Sequence, residues 1–159
     1  MLTDRPDKRT RLITWTLKTY DELTRDDVFD MFKLRQEVFV VEQACIYPDI
    51  DDIDKRAHHL FARDADGHLS AYLRLIPPMG HYDGPAIGRV VTAVHARGRG
   101  LGRELMGRGI RAAEHHFPAQ PIHLSAQTYL RRFYTDLGFV TQGDAYDEDG
   151  IEHVHMVRG

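Results

Sequence analysis

The sequence predicts an α/β fold in which a mixed β-sheet carries helices on both of its faces. Strand-like and helix-like segments alternate over the second half of the chain, as they do in α/β folds. Two apolar segments near the middle flank DADGH, which is a strong hairpin signal. In addition, the apolar segment VVTAV ends in a turn of glycine and arginine, and an amphipathic helical repeat follows it directly.

The chain of 159 residues has the length of one domain with a sizeable core. Its first residues are polar and charged and carry no periodic apolar pattern. We therefore predict a flexible tail at residues 1–10 and a single domain at residues 11–159.

The first half of that domain is predicted to run strand, helix, strand, strand. The segment LITWTL is rich in β-prone residues. Thr24 is a good helix N-cap, and the apolar residues from Val28 to Val38 recur at roughly helical spacing. Turn-forming residues and four aspartates then indicate an ordered loop. The predicted elements are a strand at 12–17, a helix from Thr24 to Val38, a loop at 43–56 and strands at 58–63 and 69–76.

The second half is predicted to run strand, helix, strand, helix, strand, strand. Leu101, Leu105, Ile110 and Ala113 mark one apolar face of the first of these helices. Gly138 ends the second helix in the usual way. The predicted elements are strands at 86–94, 122–126, 139–143 and 152–157, helices at 101–117 and 128–137, and loops at 77–85 and 144–151.

Charge and composition disfavour several classes of function. The net charge of −3, from 21 basic and 24 acidic residues, disfavours binding to bulk nucleic acid. No apolar run approaches the ~18–20 residues of a membrane span, and the N-terminal residues lack the apolar core of a secretory signal. The single cysteine excludes an internal disulfide, and the ten histidines form no H-E-x-x-H motif or Cys/His cluster. We therefore expect a cytoplasmic protein with no metal and with no nucleic-acid or membrane partner.

The turn at residues 97–103, RGRGLGR, has the composition of an anion site. Its glycines allow close backbone approach, and a helix N-terminus offers unpaired N–H groups with partial positive charge. Arg97, Arg99 and Arg103 add full charges. The spacing matches neither the Walker phosphate loop nor the dinucleotide fingerprint. It does match R-x-x-G-x-G, beginning at Arg97.

That string, placed after a strand, resembles the pyrophosphate loop of the GNAT acyltransferases, which bind acetyl-coenzyme A. A second string, FYTDLGF at 133–139, resembles the GNAT pattern of a tyrosine four residues before Gly–Phe. Longer segments, LRQEVFVVEQACIYPDIDDID at 34–54 and EDGIEHVHM at 148–156, are similar to the ElaA-like branch of that family. The resemblance covers nearly the whole chain after residue 12. It implies the GNAT fold, a mixed and mostly antiparallel central sheet flanked by helices on both faces.

The GNAT resemblance implies an N-acetyltransferase that uses acetyl-CoA as its cosubstrate and needs no metal. The acetyl group would pass to an amine of a small molecule or peptide by direct attack in a ternary complex. The turn at 97–103 is also suited to bind the pyrophosphate of the cosubstrate, because the unpaired N–H groups at a helix N-terminus favour anions. The cofactor-binding residues implied are Val90, Val91, Thr92, Arg97, Gly98, Arg99, Gly100, Leu101, Gly102, Arg103 and Gln127.

Tyr134 is the residue implied to protonate the leaving thiolate. A free tyrosine has a pKa of about 10 and a free thiol about 8.5, so a neutral tyrosine is a competent donor at neutral pH. Its alternative role is to pack its helix on the sheet. For the base that deprotonates the amine we favour Glu42 and His153, with a water chain as the alternative. The full set of candidates for this base is Glu37, Glu42, Glu148, His58, His59 and His153.

Five polar residues are candidates to line the amine pocket. Among them, Arg35 and Arg74 lie among apolar residues, where an arginine needs a carboxylate partner. Their alternative role is therefore ion pairing inside the fold, with Asp51, Asp54 and Glu148 as the candidate partners. The predicted substrate-binding residues are Arg35, Tyr47, His59, Arg74 and Glu148.

Three other functions are compatible with the sequence. The chain can be a non-catalytic module that senses acyl-CoA, a structural protein on an old enzyme fold, or an acyltransferase like the acyl-homoserine-lactone synthases. The Tyr134 string favours an enzyme over a sensor, and the intact glycines of the turn disfavour a scaffold. A homodimer is compatible with the resemblance, because GNAT domains often dimerise. The residues that resemble the start of the lactone synthases are Arg35, Val38, Phe39, Asp51 and Asp54.

Overall fold

The computed structural model describes residues 12–159, so the predicted tail at 1–10 lies outside the described residues. Over this range the strands and helices follow the predicted order. No helix within it combines the length and the apolar character needed to cross a membrane. The strands are β1 (Thr14–Thr19), β2 (His58–Arg63), β3 (Leu69–Ile76), β4 (Ala86–Thr92), β5 (Ile122–Gln127), β6 (Val140–Glu148) and β7 (Ile151–Arg158), and the α-helices are α1 (Arg25–Arg35), α2 (Leu101–His116) and α3 (Arg131–Asp136).

The seven strands join one sheet in the spatial order β1, β2, β3, β4, β5, β7, β6. Neighbouring strands are antiparallel except for β4 and β5, which run parallel. This confirms the predicted mixed and mostly antiparallel sheet. The extent predicted for the domain, residues 11–159, stays a prediction.

Helices cover both faces of the sheet, as predicted. Consecutive residues of a strand point to opposite faces, so Tyr72 and Leu73 of β3 mark the two sides. On one side, the guanidinium of Arg35 from α1 lies 5.7 Å from the centre of the Tyr72 ring. On the other side, α2 packs so closely that a Cβ on Gly109 would lie 2.7 Å from Cδ2 of Leu73. A larger residue at Gly109 therefore requires α2 or Leu73 to move.

The helix α1 has the predicted N-cap but a different C-terminal end. The Thr24 side chain accepts a hydrogen bond from the amide three residues on, at 3.0 Å, and so satisfies one N–H of the first turn. After Arg35 the chain continues as a π-helical segment, Gln36–Glu42, instead of ending at Val38. Gln43 donates to the Val38 carbonyl at 3.0 Å, which is the i to i−5 pattern of a π-helix.

The last hairpin is longer and tighter than predicted, so the loop expected at 144–151 is wrong. The strand β6 continues to Glu148 and β7 begins at Ile151, with two residues between them. These residues, Asp149 and Gly150, have positive φ angles of 53° and 83°, which fit a type I′ turn. Asp–Gly is a preferred sequence for that turn. Polar residues before it are tolerated in a strand because β6 lies at the edge of the sheet.

Candidate active site

A cleft opens between the parallel strands β4 and β5. Ala86 and His123 are the register pair that joins them, and the His123 amide donates to the Pro85 carbonyl at 2.9 Å. Beyond this point β5 continues to pair with β7 from Leu124 to Gln127, while no further ladder with β4 occurs in the described part of the chain. The two strands are thus joined at one end and separate toward the other. The facing edges keep main-chain groups that no neighbouring strand uses.

A β-bulge in β4 accounts for the separation. From Tyr72 to Arg74 the strand β3 advances two residues, while β4 advances three from Val91 back to Gly88. Arg89 lies inside this bulge and has a positive φ of 51°. Bulges bend a strand and increase its twist, so β4 turns away from β5 where the cleft begins.

The open edge of β4 presents the backbone of Val90 and Thr92. The Ala93 amide donates to the Ser70 carbonyl of β3 at 2.8 Å. Main-chain groups alternate between the two edges of a strand, so the backbone of Val91 also faces β3. The N–H and C=O groups of Val90 and Thr92 therefore face the cleft. Of the three strand residues predicted to contact the cosubstrate, these two have free backbone groups to offer.

The turn at residues 97–103 lies at the wide end of the cleft, where β4 has ended and α2 begins. Gly100 is the N-cap of α2, and its φ of 73° is a left-handed conformation that favours glycine. Among the hydrogen bonds of residues 12–159, none has a main-chain N–H from Gly98 to Arg103 as its donor. These N–H groups lie at the N-terminus of a 16-residue helix, whose dipole adds partial positive charge. The arrangement suits an anion such as a pyrophosphate.

Three arginines surround the turn, and one of them is already paired. Arg97 donates to both carboxylate oxygens of Glu42, at 2.5 and 2.7 Å. The hydrogen bond from Arg97 lowers the pKa of Glu42, which makes this carboxylate a weaker base. The geometry therefore favours a role for Glu42 in holding Arg97 over the base role predicted for it. Arg99 and Arg103 are exposed and have no ion-pair partner within residues 12–159.

The π-helical segment that follows α1 touches both sides of the cleft. Glu42 at its end reaches the turn, as described above. The next residue, Gln43, accepts a hydrogen bond from the Gln127 side chain at the end of β5, at 3.2 Å. Gln127 therefore lies at the wide end of the cleft, near the place where its predicted contact with the cofactor would form.

Tyr134 of α3 combines a packed ring with an unengaged hydroxyl. Its ring is buried and makes edge contacts with Phe133 and Phe139, at 5.1 and 6.2 Å between ring centres. The neighbouring Phe133 lies beside the turn, 3.9 Å from where a Cβ on Gly102 would be. The hydroxyl of Tyr134 has no hydrogen-bond partner among the described residues. Burial raises the pKa of Tyr134 above its ordinary value, so the hydroxyl keeps its proton.

The second half of the sheet has an open polar face beside the cleft. Ser125 of β5 donates to Glu148 of β6 at 3.2 Å and is also hydrogen-bonded to the hydroxyl of Tyr146. Nε2 of His153 on β7 lies 3.3 Å from the Glu148 carboxylate. Glu148, predicted to bind substrate, and His153, predicted as a base, are therefore neighbours on this face.

The contacts of His153 bear on the base role predicted for it. Its Nδ1 donates to the Ile151 carbonyl at 2.7 Å, so this nitrogen is already engaged as a donor. Its Nε2 lies 3.3 Å from the carboxylate of Glu148, which shares the space in front of that nitrogen. The role of His153 as the base stays a prediction.

The arginines predicted to contact substrate are buried in a network of ion pairs. Arg35 is 0% exposed and binds Asp49 through Nε at 2.9 Å and Asp54 through Nη1 at 2.6 Å. Arg74 binds Asp54 at 3.0 Å and Asp51 at 2.6 Å. Burial alone would lower the pKa of Arg35, but the hydrogen bond to Asp54 raises it above its ordinary value. These contacts are the ion pairing inside the fold that is the alternative role of both arginines, and their predicted contact with substrate stays a prediction.

His59 and Tyr47 are connected to the same network. The ring nitrogens of the fully buried His59 contact the Tyr72 hydroxyl at 2.6 Å and the Asp54 carbonyl at 2.8 Å. Both ring nitrogens of His59 are thus engaged inside the fold, and the role predicted for His59 in binding substrate stays a prediction. Tyr47 is half-buried and donates its hydroxyl proton to Asp49 at 2.8 Å. Its contact with substrate stays a prediction.

One group of potential ligand side chains lies away from the cleft. The potential ligand atoms of Asp64, Asp66 and His68, in the turn between β2 and β3, lie within 4.8 Å of one another. The Asp64 carboxylate accepts hydrogen bonds from the amides of Asp66 and His68, at 3.0 and 2.9 Å. These hydrogen bonds within the turn explain the position of the Asp64 side chain without a metal ion. The expectation of a protein without a metal stays a prediction.

Sequence reasoning missed Asp49, Ser125 and Tyr146. Asp49 is buried against Arg35, but nothing in its local sequence distinguishes it from the other aspartates of its loop. Ser125 did have a signal, because it lies between the buried residues Leu124 and Ala126 on a strand. A polar residue at such an alternating position indicates an open face of the sheet.

Comparisons with known proteins agree with this geometry. A family model described as an acetyltransferase (GNAT) domain matches residues 21–158. Protein ElaA of Escherichia coli is 36% identical over 149 residues, which cover 92% of this chain and 97% of ElaA. The crystal structure of that protein has a TM-score of 0.87 at 35% identity and covers 93% of this chain and 100% of its own. A crystal structure of an acyl-CoA N-acyltransferase from Pseudomonas aeruginosa has a TM-score of 0.89 at 44% identity, with coverage of 93% and 100%.

A more distant likeness concerns the lactone synthases. The crystal structure of the AHL synthase LasI has a TM-score of 0.74 at 14% identity and covers 92% of this chain and 89% of its own, which shows a shared fold and no more. The family model and ElaA, by contrast, match along nearly the whole chain at the level of sequence. The chain therefore belongs to the GNAT acetyltransferase family, and ElaA is among its relatives.

Proposed function

We propose that the protein is an N-acetyltransferase that moves the acetyl group of acetyl-CoA to an amine of a small molecule or peptide. Membership of the GNAT family and the likeness to an acyl-CoA N-acyltransferase support acyltransferase activity. The observation that carries the proposal is the turn at 97–103, whose unpaired N–H groups lie at the wide end of a cleft with an open strand edge.

The cosubstrate occupies the cleft from its wide end inward. The N–H groups of the turn bind the pyrophosphate of CoA, and Arg99 and Arg103 add positive charge. The pantetheine arm runs back along β4, where Val90 and Thr92 pair with its amide groups. This path brings the thioester to the joined end of the cleft, beside the β-bulge. Fixing the thioester along a strand provides proximity and orientation for the reaction.

The amine attacks the thioester directly in a ternary complex. The N–C bond forms as the carbonyl π electrons move to oxygen, and collapse of the tetrahedral intermediate re-forms the carbonyl and breaks the C–S bond. A main-chain N–H of the β4 edge stabilises the oxyanion, and such a donor is worth ~3 kcal/mol. Tyr134 gives its proton to the leaving thiolate, and the proton that the attacking nitrogen loses restores the tyrosine. This role is supported by the neutral and unengaged hydroxyl of Tyr134.

The open polar face beside the cleft supports a basic acceptor. Glu148 is exposed there, together with Ser125 and Tyr146. A carboxylate at the entrance of a site attracts a protonated amine and raises its local concentration. Tyr47 and Glu148 are the predicted substrate-binding residues that this proposal keeps.

A module that senses acyl-CoA without turnover is the second candidate. It needs the turn and the cleft, but it does not need an unengaged tyrosine hydroxyl. The free hydroxyl of Tyr134 therefore favours the enzyme. Thiol release from acetyl-CoA, screened against amines, polyamines, amino acids and peptides, separates the two. Binding of acetyl-CoA without release by any acceptor supports the sensor.

Gly100→Glu tests the turn. The substitution places bulk and negative charge where the pyrophosphate binds, so we expect acetyl-CoA binding, measured by calorimetry, to be lost. Gly67→Glu is the matched control, because Gly67 has a φ of 83° against 73° for Gly100, and neither Cβ would meet a neighbour within 4 Å. Gly67 lies in the turn between β2 and β3, so G67E should bind as the wild type does. Unchanged affinity in G100E would refute the assignment of the turn.

A further inference from the structure

Four side chains at the joined end of the cleft form a chain of contacts. Nε2 of His123 lies 2.6 Å from Oδ1 of Asp83, and Nδ1 of His123 lies 2.9 Å from Nε2 of His155. The Tyr82 ring stacks on both imidazoles, with its centre 4.4 Å from that of His123 and 4.9 Å from that of His155. We call Asp83, His123 and His155 the relay. It is built from the loop at 77–85, β5 and β7.

The relay lies where the proposed function places the thioester. His123 is the β5 residue in register with Ala86, where β4 and β5 are joined. His155 of β7 is paired with Ser125, two residues farther along β5, so it lies one strand away from the gap between β4 and β5. Because the pantetheine arm starts at the wide end and runs toward the joined end, its reactive carbonyl comes to lie beside this pair of residues.

The hydrogen bonds of the relay select one arrangement of protons when both imidazoles are neutral. A carboxylate only accepts, so Nε2 of His123 carries a proton and donates it to Asp83. The other nitrogen of a neutral His123 is an acceptor, so Nε2 of His155 donates to it. The remaining nitrogen of His155, Nδ1, then keeps a lone pair. It has no hydrogen-bond partner among residues 12–159.

We propose, building on the proposed function, that Nδ1 of His155 is the base that deprotonates the acceptor amine. An alkylammonium ion gives one proton to Nδ1, and the lone pair left on its nitrogen attacks the thioester carbon. As the C–S bond breaks, the thiolate takes the proton of Tyr134, and the second proton lost from nitrogen returns that tyrosine to its neutral form. The proton on His155 leaves to solvent. An ammonium ion and a thioester thus give an amide, a thiol and one proton.

The surroundings of His155 support this role. Burial, followed by the nearby His123, lowers the pKa of His155, so its neutral form is populated at neutral pH. Nε2 of His153, two residues away on the same strand face, lies instead beside the Glu148 carboxylate. The titratable groups that share the face of the relay are Tyr82, Asp83, His123, Tyr146, Glu148 and His153.

His155→Gln removes the base and keeps a side chain that can donate to His123. With acetyl-CoA and spermidine, tyramine, lysine or a lysine-containing tripeptide, we expect kcat/KM at neutral pH to fall by about 100-fold or more. The affinity for acetyl-CoA should stay at the wild-type value. The loss should shrink as the pH rises, because a free amine needs no base. A loss that is equal at every pH, or activity within about threefold of the wild type, overturns the proposal.

His115→Gln is the matched control, because His115 is exposed at the opposite end of α2 from the turn and should leave the kinetics unchanged. Heteronuclear NMR of histidine-labelled wild-type protein tests the relay without any variant. The Nε2–H tautomer of His155 supports it, and the Nδ1–H tautomer overturns it. Wild-type protein that releases thiol with none of the acceptors would overturn the proposed function itself, whereas an active H155Q overturns the base alone.

Discussion

The two halves of the sheet use polar residues in opposite ways. Over β3 and β4, on the face that carries α1, charged side chains are buried in pairs, such as Arg35 with Asp49 and Arg74 with Asp54. Over β5, β7 and β6, several polar side chains of the cleft face are exposed or half-exposed, as Ser125, Glu148 and His155 are, although His123 and His153 are buried. Similar residue types therefore form buried ion pairs in one half of the sheet and line an open surface in the other.

The difference follows from what covers each half. The helix α1 and the loop at 43–56 pack on the first half, and Arg89 of the β4 bulge fastens that loop through a 2.8 Å contact with Asp49. A charge enclosed there is tolerated only when it is paired. The polar face of the second half has less cover within the described residues, and Tyr146 remains 38% exposed. Charges of the first half thus hold the fold, and those of the second remain available to a ligand.

The largest effect is expected from a substitution in the covered half of the sheet, where the charges are buried. Arg35→Ala leaves the carboxylates of Asp49 and Asp54 buried without this partner, and breaking a buried ion pair costs ~3–5 kcal/mol. We expect the free energy of unfolding, measured by urea denaturation, to fall by that amount. Arg25→Ala, at an exposed position of the same helix, should change it by less than ~0.5 kcal/mol. Equal and small effects of the two variants would remove the contrast between the halves.

The next effect concerns chemistry in the cleft. Tyr134→Phe keeps the packed ring and removes the proton donor, so we expect kcat to fall by ~10²–10⁴-fold while the affinity for acetyl-CoA stays nearly intact. Thiol-release kinetics and calorimetry measure the two quantities. Tyr20→Phe, in the turn after β1, is the control and should behave as the wild type. Turnover that survives in Y134F, with chemistry rate-limiting, would show that Tyr134 is not the acid.

The smallest effect lies where the two halves meet at the surface. Glu42→Gln frees Arg97 for the phosphates, and because exposed ion pairs are weak, we expect the affinity for acetyl-CoA to rise by no more than about fivefold. Turnover should persist, since Glu42 is not the base in our proposal. Glu104→Gln removes a similarly exposed carboxylate, paired with Arg108, and is the control. A fall in turnover of about 100-fold in E42Q would restore Glu42 as the base.

The order of the elements could be predicted from the sequence because its signals are local. The hairpin of β2 and β3 has the predicted bounds, since an Asp–Gly turn lies between two strands of apolar residues. The observed elements differ from the predicted ones where a tertiary contact determines the secondary structure. Polar residues look like a loop at 144–148, and only their place at the sheet edge shows that they form part of β6. The π-helical segment likewise has no periodicity that separates it from the end of an α-helix.

The candidate site could be predicted only where it is contiguous in the sequence. The turn at 97–103 and the string around Tyr134 are each contained in one short segment. Which carboxylate meets Arg35, and whether that arginine faces a substrate, depends on the loop that closes over it. Because alternate residues of a strand share a face, the sequence alone predicts that His153 and His155 lie on the same face of their strand. The partner of His155, His123, comes from a different strand, so no local pattern shows which histidine keeps a lone pair.

Among residues 12–159, one register pair, Ala86 and His123, joins the two half-sheets across β4 and β5. In the proposed complex, the pantetheine arm fills the gap as an additional, non-peptide strand whose amides bridge the two edges. A ligand that binds only the folded protein adds to its stability in proportion to the logarithm of its concentration. The cosubstrate is then also a structural component that joins β4 to β5. Hydrogen exchange of the backbone amides along β5 and β7 should therefore slow when it is present.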